Sequence, residues 1–246
     1  VHRKCRIASI VKKIYFAPVK HSGKAAAAAF KLIGLSAAGV LLLLAVAWLA
    51  AHLGAFIVAM AGVLGALWVL FVLFTFYFFR DPDPNVPGGK NLVLAPGHGK
   101  VDTIDLANEP EFLGGECRRI SIFLSVFDVH VQNAPLTGRI AYFKHAPGQY
   151  LNAMRTDCAQ FNENVLIGLE AGEPAGARIG VRLIAGLIAR RIIPWIAQND
   201  VVQRGERISL IQFGSRVEVY LPKDARIKVQ LGDKVVGGES ILAELV

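Results

Sequence analysis

Cysteine is scarce in this chain, and its arrangement excludes two common roles. Cys5, Cys117 and Cys158 are the only three among 246 residues, widely separated and without any C-x-x-C spacing, so neither a disulfide framework nor a thiolate zinc site is indicated. Acidic residues are missing from positions 1–31, which carry Arg3, Lys4, Arg6, Lys12, Lys13, Lys20, Lys24 and Lys31. That segment accounts for the whole formal charge of +8, because the remaining Lys and Arg are balanced by 19 Asp and Glu. A nucleic-acid-binding domain carries its own basic face, so the neutral remainder argues against that class of partner.

Charge of either sign is absent from Leu32 to Phe79, where His52 is the one readily titrated side chain. A helix that crosses a bilayer needs about 20 apolar residues, so this stretch predicts two crossings. The turn falls near Ala51-His52-Leu53-Gly54, giving a helical hairpin of 33–51 and 55–79. The length exceeds that of a secretory signal. Basic flanks stay on the cytoplasmic side, and two crossings bring the chain back to where it began. The N-terminal segment and everything after the hairpin are therefore expected at the cytoplasmic face of the inner membrane, with the basic cluster drawn to anionic headgroups.

"RDPDPNVPGGKN" then predicts a linker over 80–90 that cannot continue a helix. Beyond it, 91–246 reads as a β-rich domain. Strand-like alternation recurs at 91–96, 118–132, 138–145, 162–170, 177–185, 206–213, 216–222 and 225–230, separated by Gly, Pro and Asn turns. The stretch 177–200 also has the character of a basic amphipathic helix, but the alternation of Arg178, Gly180 and Arg182 with Ile179, Val181 and Leu183 favours a strand. One run is interrupted oddly: in "LIQFGSRVEVYLP" a glycine and a serine, Gly214 and Ser215, break an apolar, β-branched sequence. Glycine weakens a strand interior and there marks a bulge, a bend or a close approach.

The final "LGDKVVGGESILAEL" and the segment "LAPGHGKVDTID" at 94–105 resemble the paired halves of the hammerhead half-barrel found in lipoyl and biotinyl carrier domains. Taken in order, "FRDPDP" after an apolar hairpin, "ISIFLSVFDVHVQNAP", "NENVLIGLE", "IAGLIARRI", "QFGSRVEVYLP" and "GDKVVGGESILAEL" resemble the short, membrane-associated form of phosphatidylserine decarboxylase. The resemblance covers nearly everything from residue 15 onward. It implies a mainly β fold behind a transmembrane hairpin, and a precursor that cuts itself between Gly214 and Ser215 into a β chain of 1–214 and an α chain of 215–246. It implies a pyruvoyl cofactor made from Ser215: the hydroxyl attacks the Gly214 carbonyl to form an ester, elimination gives dehydroalanine, and hydrolysis leaves the ketone. That ketone would condense with the amine of phosphatidylserine and accept the electrons released with carbon dioxide, yielding phosphatidylethanolamine. The implied partners are this lipid, the bilayer, and the two chains of one precursor, with a homo-oligomer left open.

For proton handling "FDVH" stands out. In an extended strand residues i and i+2 share a face, so Asp128 and His130 are expected to project together, the carboxylate raising the imidazole's pKa. With the family pattern, His130 is the expected catalytic histidine, while His2, His21, His52 and His145 keep structural readings. The family carries an aspartate where this chain has His98, placing His98 in the same site with Asp102 or Asp128 as a replacement carboxylate. Arg118, Arg119, Arg190, Arg191 and Arg216 are candidates for holding the lipid phosphate. Two alternatives remain: a membrane-tethered, lipoyl-like adaptor without catalysis, and a decarboxylase homologue in which His98 impairs processing.

Overall fold

A computed structural model describes residues 23–50, 55–152, 161–187, 191–212 and 214–246. Two helices come first, α1 (Lys24–Ala50) and α2 (Ala55–Phe78). Each contains a span, of 26 and 22 residues respectively, that is long and apolar enough to cross a membrane, and the most apolar window of each is wholly unburied. The turn expected at 51–54 lies outside the described residues. The first helix starts at Lys24 instead of 33, because "KAAAAAF" is built of the strongest helix former and needs no apolar face to continue the helix backward. α2 stops before Pro82 and Pro84, and the Arg80 guanidinium caps its end on the Tyr77 carbonyl at 2.8 Å.

The start of α1 and the end of α2 rest together on the β domain. Ala25, Ala29, Phe78 and Phe79 are buried in one cluster with Val129, Val131 and Leu210, and Lys24 lies over the Trp195 ring. The segment after α2 has neither helix nor strand, yet it is strapped down. Arg207, 1% exposed, takes Asp81 at 2.6 Å and Asp83 at 2.7 Å, while Arg204 donates to the carbonyls of Pro87 and Gly89.

Fourteen strands follow: β1 (Leu92–Leu94), β2 (Gly99–Glu109), β3 (Gly115–Leu124), β4 (Val131–Asn133), β5 (Gly138–Ala146), β6 (Asn164–Ala171), β7 (Arg178–Ala185), β8 (Ile192–Pro194), β9 (Val201–Val202), β10 (Arg207–Ile211), β11 (Ser215–Leu221), β12 (Arg226–Ile227), β13 (Lys234–Val235) and β14 (Ile241–Glu244). Eight of them make a curled antiparallel half-barrel in the order β13-β2-β3-β11-β7-β6-β5-β9, and two three-stranded sheets, β1-β14-β12 and β4-β10-β8, complete the fold. The domain is mainly β, and the two segments likened to carrier-domain halves do pair, through β13 on β2 and β14 on β1.

β11 is central and buried along its whole length. Val217, Val219 and Leu221 point into the main apolar core with Ile120, Ile122, Ile167, Val181 and Leu183. The opposite face holds Arg216, Glu218 and Tyr220, also buried, and each finds a partner: Arg216 meets Asp102, and Glu218 accepts from Arg119 and from the Tyr220 hydroxyl. Such pairing offsets the cost of burying charge.

The expected strand 118–132 is two strands, β3 and β4, separated by a turn. The Asp128 carboxylate accepts from both the Ser125 amide (2.8 Å) and its hydroxyl (2.7 Å), a side-chain closure that competes with the sheet ladder. Similarly, 206–213 and 216–222 belong to different sheets. The chain leaves β10 in a small sheet and enters β11 in the large one, and Gly214 makes the crossing with φ of +79°, a conformation glycine adopts without a Cβ penalty.

Candidate functional site

Ser215 opens β11, paired with Leu124 of β3 on one side and Ala185 of β7 on the other. Its side chain is fully buried, and among the described residues its Oγ has no hydrogen-bond partner. An unpaired buried hydroxyl costs about 1–3 kcal/mol and calls for a reason to be kept. The preceding Gly214 amide donates to Nε2 of His130 at 3.0 Å.

His130 reaches that position from the turn between β3 and β4. Its Nδ1 lies 2.9 Å from the Asp128 carbonyl, which can only accept, so Nδ1 carries the proton and Nε2 presents its lone pair to Gly214. The Phe78 ring, at the very end of α2, lies over the imidazole with centroids 4.3 Å apart. Burial is complete, and it pushes the pKa of His130 down to about 4, against the raising influence of Asp128. The expectation of a raised pKa is thereby corrected: desolvation outweighs the carboxylate. The expected strand geometry is corrected too, since Asp128 meets His130 through its backbone carbonyl while its carboxylate turns to Ser125.

Beside this pair lies a cavity of about 600 Å³, walled by Tyr77 and Arg80 from the hairpin end, by His98 and Lys100, by Ser125 and Asp128, and by Lys234. His98 sits against Gly237, where a Cβ would come within 3.0 Å of its ring. Burial lowers its pKa, with Asp128 opposing and Arg80 assisting. His98 and His130 also feel one another, His98 lowering the pKa of His130. The structure thus brings Gly214, Ser215 and His130 into one contact chain and sets His98 nearby in the cavity wall.

Of the two carboxylates considered as replacements for the family's aspartate, Asp102 is taken. Both its oxygens are held by Arg216, at 2.8 and 2.6 Å. Asp128 is the carboxylate whose charge acts on both histidines. The arginines proposed for phosphate are mostly engaged as well: Arg119 with Asp105 and Glu218, Arg216 with Asp102 and Ser121, and Arg118 with the Lys223 carbonyl. Arg190 lies outside the described residues, and Arg191 is exposed. Sequence reasoning missed Phe78, Arg80, Lys100 and Lys234. For Phe78 and Arg80 a signal existed in their place directly before "DPDP"; for the lysines only strand register reveals their proximity.

Comparison with known proteins places this geometry in context. Residues 71–243 match the family model for phosphatidylserine decarboxylase. A phosphatidylserine decarboxylase proenzyme of Desulfotalea psychrophila is 41% identical over 184 residues, covering 75% of this chain and 85% of the relative. The proenzyme of Symbiobacterium thermophilum is 41% identical over 182 residues (74% and 84%), and that of Syntrophus aciditrophicus 43% over 170 (69% and 79%).

Proposed function

Since the chain belongs to the phosphatidylserine decarboxylase family, we propose that it is a self-processing lyase that converts phosphatidylserine to phosphatidylethanolamine with a pyruvoyl group made from Ser215. The observation that carries this reading is the buried, unpartnered Ser215 hydroxyl next to a glycine whose amide is held by a neutral histidine.

Self-cleavage follows from these residues. Ser215 Oγ bonds to the Gly214 carbonyl carbon, and the Nε2 of His130, already at this peptide, takes the hydroxyl proton and returns it to the Ser215 nitrogen as the C–N bond breaks. This step requires Nε2 to exchange the Gly214 amide, which it now accepts at 3.0 Å, for the hydroxyl of the next residue. The left-handed turn at Gly214 leaves its carbonyl without a Cβ beside it; the nearest side-chain atom to that space is Val126 Cγ1 at 3.7 Å. Loss of the Ser215 Cα proton then expels the Gly214 carboxylate from Cβ. The resulting enamine takes up water and releases ammonia, leaving the ketone at the new terminus.

The buried pocket of Ser215 fits a group of this size, since the same carbon skeleton already fills it. The pyruvoyl ketone supplies the electron sink for the departing carbon dioxide. The chain contributes a water-poor position for that ketone, an imidazole, and a nearby cavity lined by residues of both α2 and β2. His98 does not prevent processing in this reading, because Asp128 supplies the negative charge. The basic N-terminal segment and the meeting of both hairpin ends on the β domain support a location at the inner membrane with the β domain on the cytoplasmic side.

Intact masses of the purified polypeptides test the reading. The expected result is two chains, 1–214 and 215–246, with a blocked, serine-derived terminus on the smaller one, and a single uncut chain for Ser215→Ala. Hydroxylamine should accelerate cleavage by capturing the ester. Active material that retains ordinary serine at 215 in an unbroken polypeptide overturns the proposal, and an uncut, inactive wild type leaves the adaptor reading in its place.

A further inference from the structure

We propose that Lys100 and Lys234 form a clamp for the phosphodiester of a lipid headgroup in the cavity at the end of α2, an assignment that rests on the decarboxylase reading above. The two residues are direct partners across the antiparallel β13/β2 pair, Lys234 opposite Lys100. Like charges so placed repel and weaken a sheet. Among the described residues neither lysine has an ion pair, and the twelve pairs formed there do not draw on them. Both residues line the same cavity.

The rest of that cavity does not neutralise them. Arg80 adds a third cation, and its guanidinium is spent on the carbonyls of Tyr77 (2.8 Å) and Phe127 (2.6 Å). Asp128 is the one carboxylate in the lining, and its oxygen is held by Ser125. His98, the remaining titratable wall besides Tyr77, is biased toward neutrality by burial. The cavity therefore has an excess of positive charge and calls for an anion.

Position selects which anion. Tyr77 belongs to the last turn of a helix apolar enough to span a bilayer, so the cavity opens where that helix leaves its apolar environment, at the level of headgroups. Its size falls within the range of small-ligand sites, about 300–1,000 Å³. A lysine ammonium binds phosphate as a point charge with three donors, and two of them on adjacent strands can grip both free oxygens of a phosphodiester. The same lining includes Ser125, Asp128 and Val129, the last being the chain neighbour of His130, and Lys100 is paired with Phe123, next to the Leu124 that faces Ser215. A headgroup held by its phosphate at the lysines would extend its amino end toward the reactive position.

Titration of the full-length Ser215→Ala precursor in detergent tests this without relying on self-cleavage. Monomeric dihexanoylphosphatidylserine and dihexanoylphosphatidylethanolamine, which share the phosphodiester but differ by the carboxylate, are the probes. Lys100→Gln or Lys234→Gln should raise Kd for both lipids about fivefold, and the double variant about twentyfold. Lys→Arg at both positions should restore most of the affinity, and in the processed enzyme the loss should fall on KM more than on kcat. Weakening confined to the serine lipid would mean the lysines hold the carboxylate, and unchanged monomer affinity with weaker flotation on vesicles rich in phosphatidylglycerol would mean they face the bilayer surface. Either outcome overturns the clamp. A wild type that never cuts itself would sink the proposed function while leaving this measurement intact.

Discussion

Acidification provides the sharpest test of how His130 is held. Its pKa in the folded chain is about 4, against an ordinary value of 6.5, because the imidazole is buried beneath Phe78. A group with a depressed folded pKa favours folding while it stays neutral. That contribution is fully present above 6.5 and is lost as the pH falls from 6.5 toward 4, since the unfolded chain takes up the proton first. At pH 5 the difference amounts to about 2 kcal/mol, which for a chain of this size lowers Tm by about 4–8 °C relative to pH 7.5. The measurement compares thermal unfolding of two detergent-solubilised precursors, Ser215→Ala and Ser215→Ala/His130→Gln, across pH 7.5 to 4.5. Glutamine can still accept from the Gly214 amide but does not titrate, and His98 is present in both proteins. The first precursor should lose the stated stability relative to the second. Parallel pH dependences would falsify the claim that His130 is buried neutral, and with it the assignment of its Nε2 lone pair to Gly214.

Other substitutions separate packing from charge. Phe78→Ala should cost about 3–5 kcal/mol for the lost ring and admit water to His130, so the acid-dependent loss described above should shrink; thermal unfolding at two pH values reads both effects. Arg207→Gln strips the cation from Asp81, which is only 10% exposed, and should cost about 3–5 kcal/mol, whereas Asp83→Asn, acting on a side chain 78% exposed, should cost less than about 1 kcal/mol. Gly168→Ala would place a methyl 2.5 Å from Cγ of Phe112, a buried ring, and should destabilise by about 1–3 kcal/mol, with Phe112→Leu in the same chain recovering part of the loss.

Much of this architecture was legible in the residues alone. The uncharged stretch 32–79 pointed to the hairpin because it is long enough for two apolar helices of about 20 residues or more, and the alternating runs pointed to the strands. Gly214-Ser215 stood out as an anomaly in an apolar run, and the fold supplies its reason in the passage from one sheet to another. The turn at 125–130 was missed because "SVFDVHVQ" keeps its apolar alternation through it; the signal that wins is the Ser125–Asp128 spacing, which lets a carboxylate bond back to the chain three residues earlier. Likewise the start of α1 was set too late because alanine favours helix by backbone propensity, which an apolar-length criterion does not count. The acidic residues of "RDPDP" read as linker chemistry, whereas two of them are ligands of Arg207, more than a hundred positions away. Lys100 and Lys234 were unreadable for the same reason: pairing register across so long a separation is a property of the folded sheet.

The residue that roofs His130 is supplied by the last position of the second apolar helix. A fragment severed between 79 and 91 would thus forfeit more than two apolar helices. Solvent would reach the imidazole, its pKa would rise toward the ordinary 6.5, and below that pH a proton would occupy the nitrogen that now accepts from Gly214. On the proposed function, a derivative without the two apolar helices would need a replacement ring over His130 to keep that imidazole neutral.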